Sequence, residues 1–530
     1  LYTVEVSIIW NAMGQRKDMS DTFILVIDAG SSKIKTAVYD DKGRHVASSD
    51  LRSPREASNP GLSDARQYYD TVLKCLKTTA EKLGPKCSAV QAIAFTGQMA
   101  GTVGVDRDWN PVTLWSGTMH TDHIPYFKQF PKEYQDNLLT ICGTNAPFML
   151  PKIKWMQDTF PDAARAEKYL IIGNYVAGKM AGTDIGEAFI DRTLLLWTGC
   201  ADLKRDAWSP YLCGLAGMDM AKLPKIVPSS TVIGKLGREA AKFCGLAEGI
   251  PLVAGAGDKP AGCLGAGVVH PGQLIDESST IGALSECLDA FVPDTKHRML
   301  ETIPSAVPGE YYASVYFTGS GATIEWFFEH MCGDEKAASE KAGKPVYEWM
   351  NEKASRIPPG SEGLLAIGML NGRALPFDPD VRGLYMGHSW NHLPQHFYRA
   401  LLESYGYEYA CALNTMQETY PALQTDEIRV IGGGAVSALY NRIKADIMGK
   451  AYAELDRSDL TMLGTAIIGG CAVGIFDDMK RTAERFTRIA ARTEPNKENY
   501  GIYRKYVDLY ASSFDRLRPI YEELDILRRA

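Results

Sequence analysis

No CxxC pair occurs in this 530-residue chain, and its 11 cysteines are scattered and odd in number. That argues against a disulfide framework or a zinc site and fits a reducing cytoplasm. No basic block stands out, and the formal net charge is −7. Neither nucleic acid nor an anionic membrane is therefore expected as a partner, although a local basic pocket for phosphate stays open. Long apolar runs are also missing. One uncharged, apolar stretch, Leu460 to Phe476, is Gly-rich and short of the roughly 20 residues of a spanning helix; it reads as a buried helix and a strand edge. The N-terminal apolar stretch is short, carries Glu5 and has no basic lead-in, so it does not read as a secretory signal. The GxxxxGK[ST] phosphate loop is absent, as is a full dinucleotide fingerprint, and no low-complexity linker divides the chain.

What is present is an ordinary globular composition, 45% hydrophobic and 23% charged. The length allows two to four domains and more than one core. Residues 1–20 read as a leader or extension, because Met19 directly precedes the first clear strand. Phe23 to Ile27 is a short apolar run ending at Asp28-Ala29-Gly30-Ser31-Ser32, and Lys33 to Tyr39 alternates as a second strand. Asp40 to Gly43 reads as a turn, Tyr68 to Leu83 has helical spacing, and Ala89 to Phe95 is another buried strand. The second half opens similarly. Pro251 to Ala254 runs into Gly255-Ala256-Gly257-Asp258 and a helix over 259–265. Strands at 273–276 and 283–288 flank Ser278-Ser279-Thr280-Ile281-Gly282. Later come a strand at 429–431, the turn Gly432-Gly433-Gly434 and a helix over 439–448. Two α/β domains follow, with a boundary near residue 250 and a cleft between them.

Three segments carry candidate chemistry, and each has a plainer alternative. In Asp28-Ala29-Gly30-Ser31-Ser32-Lys33 a glycine lets amides converge on an anion, two serines donate, and Lys33 or Lys35 adds charge. Asp28 could hold magnesium there; the alternative is a polar hairpin turn. Gly432-Gly433-Gly434-Ala435-Val436-Ser437 allows close backbone approach to a nucleotide, or simply close packing of strand on helix. Asp258 sits at a strand end before a helix, either as a base for a hydroxyl or as an N-cap.

Taken in order, these pieces resemble the FGGY carbohydrate kinases over roughly residues 22 to 510. The matching segments are Asp28-Ala29-Gly30-Ser31-Ser32, Thr96-Gly97-Gln98-Met99-Ala100-Gly101, Gly255-Ala256-Gly257-Asp258 and Ser279-Thr280-Ile281-Gly282. Gly319, Trp326, Gly372-Arg373, Arg399-Ala400-Leu401-Leu402-Glu403, Gly433-Gly434-Ala435-Val436-Ser437 and Leu463-Gly464-Thr465-Ala466 follow. The resemblance implies an α/β fold of two actin-like (ribonuclease H-like) domains with an interdomain catalytic cleft. The sugar-binding domain would span 21–252 and the nucleotide-binding domain 253–530. It further implies Asp258 as the catalytic base and Asp28 as the magnesium partner. Gly30, Ser31, Ser32 and Lys33 would face the ATP phosphates from one side, and Thr280, Gly282 and Gly319 from the other. Gly433, Gly434, Ala435 and Ser437 would lie beside the nucleoside. Gln98, Met99 and Ala100 would join Asp258 in the acceptor pocket. The implied reaction is ATP-dependent phosphorylation of a small sugar or polyol; a homodimer is allowed, but the sequence does not reveal the assembly.

The pocket departs from the family pattern. Xylulose kinases usually read Met-His-Gly where this chain has Met99-Ala100-Gly101, and glycerol kinases carry Arg-Glu there. After Trp115 the expected Asp and Arg are replaced by Ser116-Gly117-Thr118-Met119. His120 reads as a surface loop histidine. Ile281 stands where a small polar residue is usual. Losing donors from a hydroxyl-binding site alters specificity. The expectation is a ketopentose such as D-xylulose. Ribulose, gluconate, a glycerol-like polyol and an autoinducer-2 type molecule are alternatives, as is a non-catalytic nucleotide or sugar sensor. A dehydrogenase is a distant third reading, because the first turn lacks nicotinamide-fingerprint glycine spacing.

Overall fold

A computed structural model describes residues 22–529 other than Leu375 and Phe377; the leader expected over 1–20 lies outside them. Strand β1 (Phe23–Ala29) has every side chain buried, which is why its sequence is a nearly unbroken apolar run rather than an alternation. It pairs antiparallel with β2 (Lys33–Asp40), which pairs with β3 (His45–Arg52). On its other edge β1 runs parallel to β4 (Val90–Gly97). Strand β5 (Val232–Lys235) and strand β6 (Pro251–Gly257) complete a six-stranded sheet in the order β5-β6-β4-β1-β2-β3. The expected boundary at 252/253 falls inside β6, and β6 pairs wholly within this first sheet.

The second sheet repeats the plan. Its strands are β7 (Leu274–Glu277), β8 (Gly282–Leu288), β9 (Glu301–Pro304), β10 (Tyr311–Phe317), β11 (Glu427–Ile431), β12 (Ala451–Leu455) and β13 (Ile489–Thr493). They lie in the order β9-β10-β8-β7-β11-β12-β13. As in the first sheet, the first strand joins an antiparallel meander on one side and parallel strands on the other, closed by an antiparallel edge. Two α/β units of one topology therefore face each other, as the ribonuclease H-like reading requires.

Helix α1 (Ala65–Leu83) and helix α2 (Ile172–Ala181) cover one face of the first sheet, packing Tyr68, Val72, Leu76 and Val176 on Leu25 and Ile27. The opposite face is covered by α3 (Asp258–Gly265) and by a helix from far along the chain, α7 (Leu460–Ala472). Leu463 and Ile467 of α7 are fully buried against Ile24, Val26 and Ala94. Each such side chain contributes about 1.5–3 kcal/mol relative to exposure. The Leu460–Phe476 stretch is thus a buried helix, but the expected strand edge is absent. The helix ends at Ala472, and Gly474, at φ +76°, turns the chain. The second sheet is covered by α5 (Pro394–Thr419), α6 (Ala438–Met448) and α8 (Lys497–Arg529). Helix α4 (Ser320–His330) stands at its cleft end. No helix among the described residues is long and apolar enough to cross a membrane.

Polar contacts join the units. Tyr39 donates to Asp459 at 2.7 Å, and Lys259 pairs with Glu277 at 3.1 Å. Buried Glu301 accepts from Thr144 at 2.5 Å and from the Trp197 indole at 3.1 Å, and burial pushes its carboxyl up to about 7.

Candidate active site

The parallel strands β1, β4 and β6 end in register, with Ala29 level with Gly97 and Gly97 level with Gly257. Three sequence segments far apart in the chain therefore deliver their turns to one sheet edge. Strand spacing puts β1 and β6 roughly 10 Å apart there. Asp28 leaves the end of β1, Gln98 follows β4, and Asp258 follows β6. This carboxyl edge is where open α/β sheets bind ligands.

Asp28 is buried, with Lys35 standing off at 3.6 Å. Burial raises its carboxyl above the usual range, partly offset by Lys35. Lys33, the lysine expected at the phosphates, pairs instead with Asp50 at 2.8 Å. The reason is alternation: along β2 successive side chains change faces, so Lys33 and Lys35 share one face, and the nearer carboxylate takes each. Gly30 is held by the Ser53 hydroxyl and the Tyr68 phenol, both donating to its carbonyl at 2.8 Å. Ser31 is half-buried and Ser32 exposed. Exposed Arg55, which no motif singled out, donates to the Ser32 hydroxyl at 3.1 Å.

Asp258 is the first residue of α3, and the N-cap is Gly257, so the plain N-cap reading fails. Its carboxylate accepts from the Lys259 amide at 2.8 Å. It opens onto the cleft yet is ringed by protein. That desolvation, then the negative charge of Asp28, pushes its carboxyl up to about 7.

The acceptor segment lies beside it. A Cβ at Gly257 would meet Met99 Cγ at 2.6 Å, so Met99 packs directly on the backbone preceding Asp258. Met99 and Ala100 are buried. Gln98 accepts from the Ala100 amide and the Thr118 hydroxyl, each at 3.2 Å. Its side-chain nitrogen is buried without a partner, as is the indole nitrogen of Trp115. Lys152, fully buried and unannounced by any motif, donates to the carbonyls of Ala100 at 2.9 Å, Ser116 at 3.2 Å and Gly117 at 2.6 Å. It staples the two halves of the pocket together, and burial pushes its amine down to about 7. His120 is not on the surface. It is buried on the Trp155 ring at 4.2 Å, with Nδ1 3.0 Å from the Ser116 hydroxyl and Nε2 3.1 Å from Asp122. The aromatic wall that shelters it lies outside the loop, so the loop sequence gave no sign of its burial.

Across the cleft, the second unit holds a pocket of about 780 Å³. Ser278, Ser279 and Thr280 line one end, Gly433, Gly434 and Ser437 the other, and Ile324, Tyr347, Tyr398 and Leu439 supply apolar walls. Asn351 bridges the Ser437 hydroxyl at 3.2 Å and the Tyr398 phenol at 2.9 Å. Gly282, Gly319 and Ala435 are not on the pocket surface. Gly282 opens β8 against Ser320, Gly319 starts α4, and the Ala435 carbonyl accepts from Asn441 at 2.6 Å. Ile281 points outward, 58% exposed, so the polar work of that segment falls to Ser279, Thr280 and the backbone.

The family model for the N-terminal domain of FGGY carbohydrate kinases matches residues 23–265, and that for the C-terminal domain matches 278–473. An autoinducer-2 kinase of Salmonella paratyphi A is 25% identical over 95% of this chain and 96% of its own. One from Yersinia enterocolitica is 26% identical over 91% and 92%. Among solved structures, a xylulose kinase from Lactobacillus acidophilus aligns with a TM-score of 0.83 at 20% identity, covering 95% of this chain and all of that one. A Plasmodium falciparum glycerol kinase with ADP aligns at 0.82 and 18% identity, over 94% and 98%. These have the same fold, and the two domain models together span most of the chain. This chain belongs to the FGGY family of carbohydrate kinases, phosphotransferases with an alcohol group as acceptor.

Proposed function

We propose that the chain transfers the γ-phosphate of ATP to a hydroxyl of an uncharged polyhydroxy ketone of ketopentose size, D-xylulose being the representative, with Asp258 as base. The observation that carries this is the shared strand edge that brings Asp28, Gln98-Met99-Ala100 and Asp258 together opposite the Thr280 pocket. Asp258 accepts the hydroxyl proton as the oxygen bonds to phosphorus and the bond to ADP breaks. A carboxyl poised near neutrality is a better base than an ordinary one. Asp28 fits a magnesium ion: it is a buried carboxylate whose ion pair with half-exposed Lys35, at 3.6 Å, is long, it stands beside a second carboxylate, and magnesium takes one or two of these plus water and phosphate oxygens. Bound there, the ion neutralises phosphate charge.

The pocket chemistry supports an uncharged acceptor. Met99 and Ala100 are apolar, and the buried cation nearby, Lys152, is committed to three carbonyls. A sugar acid would find that cation already taken. A second reading, a linear signalling molecule of the autoinducer-2 type, is favoured by the names of the full-length relatives. ADP release measured over a panel of xylulose, ribulose, gluconate, glycerol and autoinducer-2 separates these. The ketopentoses are expected to give the highest kcat/KM, and Asp258→Asn to abolish turnover while leaving nucleotide binding mostly intact. Gluconate as best substrate, or near-normal turnover in Asp258→Asn, would sink the proposal. ATP binding with no acceptor-dependent ADP release would favour a sensor.

A further inference from the structure

One buried group beside the catalytic strand end has no part in the chemistry above. Asp191 is 1% exposed and lines a cavity of about 20 Å³ with Thr96, Gln98, Asn174 and Ala256. It accepts from the Thr193 amide at 3.0 Å and, through a very short bond, from the Thr193 hydroxyl. The Thr193 hydroxyl oxygen in turn accepts from the Gly257 amide at 2.8 Å. Gly257 is the last residue of β6 and the N-cap of α3, whose first residue is Asp258.

We propose that Thr193, oriented by Asp191, is the positioning residue for the Asp258 base. The inference rests on the proposed role of Asp258. The argument is one of hydrogen-bond roles. A hydroxyl has one proton, and Asp191 takes it. The Thr193 oxygen is then left only as an acceptor toward Gly257, which locks the direction of the bond. Without it the Gly257 N–H would be a buried donor lacking a partner, and the strand end would move to find one. Displacements of about 1 Å at a reacting group cost on the order of 10²-fold in rate. The cavity adds a second constraint. Thr96 Oγ1 and Asn174 Oδ1 are buried there without protein partners, and its volume suits one water molecule. Such a water would join β4, α2 and Asp191 around the base. Burial also raises the Asp191 carboxyl to about 7, which marks it as a costly group kept for the bonds it makes.

Thr193→Val keeps the shape and removes the hydroxyl, while Thr193→Ser keeps the hydroxyl. Two readouts are needed, kcat on the best panel substrate and amide hydrogen exchange of the segment spanning β6. In Thr193→Val we expect kcat to fall 10- to 100-fold, acceptor KM and ATP affinity to stay within about threefold, and exchange at the β6 end to rise. Thr193→Ser is expected to restore both to near wild type. Unchanged exchange in Thr193→Val overturns the bond whatever the activity does. Raised exchange with unchanged kcat overturns positioning. A serine variant as impaired as the valine one, or ATP affinity falling in parallel, reduces Thr193 to a packing role and overturns the proposal. Turnover in Asp258→Asn would refute the base itself, a result the exchange measurement does not depend on.

Discussion

Each unit begins with a strand whose penultimate residue is an aspartate and which runs into a small-residue turn, Asp28 to Ser32 in the first and Asp276 to Thr280 in the second. The ladders match: Asp28 lies between Lys35 and Thr96, and Asp276 between Leu284 and Val430. A glycine of the neighbouring parallel strand or turn presses on each, Gly97 over the Ala29 carbonyl and Gly432 over the Ser278 carbonyl. The two aspartates nevertheless have opposite uses. Asp28 faces the cleft with a half-exposed lysine held off at 3.6 Å. Asp276 is fully buried in an ion pair with Lys444, and also accepts from the Tyr409 phenol at 2.7 Å and the Ser278 hydroxyl at 3.0 Å. One carboxylate has lone pairs left for a ligand, whereas the other has committed them to holding the Ser278 turn. What decides between them is the helix behind the sheet: α6 brings a buried lysine to the second turn, and none of the contacts of Asp28 does the same.

The sharpest break of this comparison is to neutralise each aspartate. Asp28→Asn should cost phosphoryl transfer on the order of 10²–10³-fold while leaving the melting temperature nearly unchanged. Asp276→Asn strands the Lys444 charge in the core and should destabilise the protein by about 3–5 kcal/mol, read as a lowered midpoint in denaturant. Equal effects on activity and stability in both variants would mean that the two turns are equivalent after all.

The contrast was only half legible in the sequence. The apolar run at 23–27, the glycine turns and the spacing of Asp28, Asp258 and Thr280 located the strand ends and small-residue turns of both units, because strand ends and turns are encoded locally. Glycine and small polar residues announce tight turns whatever surrounds them. The partners were not legible, because they arrive from distant sequence. Lys444 reaches Asp276 across 168 positions, and Lys152 reaches Ala100 across 52. A buried lysine in a sequence looks like any exposed one. His120 follows the same pattern, since Trp155 buries it from outside its own loop. Lys33 and Lys35 were indistinguishable until the register placed Lys35 opposite Asp28.

Acidity separates the units without mutation. Asp258 is pushed up to about 7, and a base must be deprotonated to act. Activity should therefore rise with pH and level off above about 7, with kcat/KM falling about tenfold per unit below it. The stability sign is opposite. A carboxyl whose folded value is raised favours folding at low pH, and that contribution is lost as pH rises from its ordinary value of 3.8 through about 7. Affinity for adenosine, which carries no phosphate and on the proposed reading enters the pocket of the second unit, should stay level over the same range. An acid limb near 4, or adenosine affinity that follows activity, would show that the Asp258 carboxyl is not the group being titrated.

The smallest effect lies within the glycine turn that the second unit adds, where adjacent residues are asked for different things. Gly432 has φ +90°, and a Cβ there would come within 2.5 Å of the Ser278 carbonyl oxygen. Alanine would be strained in backbone and packing at once, so Gly432→Ala should displace the Ser278 turn and lower stability by about 1–3 kcal/mol. Gly433 has neither problem: its φ lies outside the left-handed region, and nothing sits within 4 Å of a Cβ. Its opening faces the 780 Å³ pocket. A methyl group at Gly433 therefore meets only what enters from the pocket. Gly433→Ala should leave the melting temperature unchanged or slightly raised, because alanine restricts the unfolded chain, while weakening ATP up to about tenfold, roughly the 1.4 kcal/mol of one lost close contact. Calorimetric titration with ATP and thermal unfolding of both variants decide the point. If Gly433→Ala binds ATP as tightly as wild type, the nucleotide does not approach the backbone here, and the glycine turn serves only to pack against Ser278.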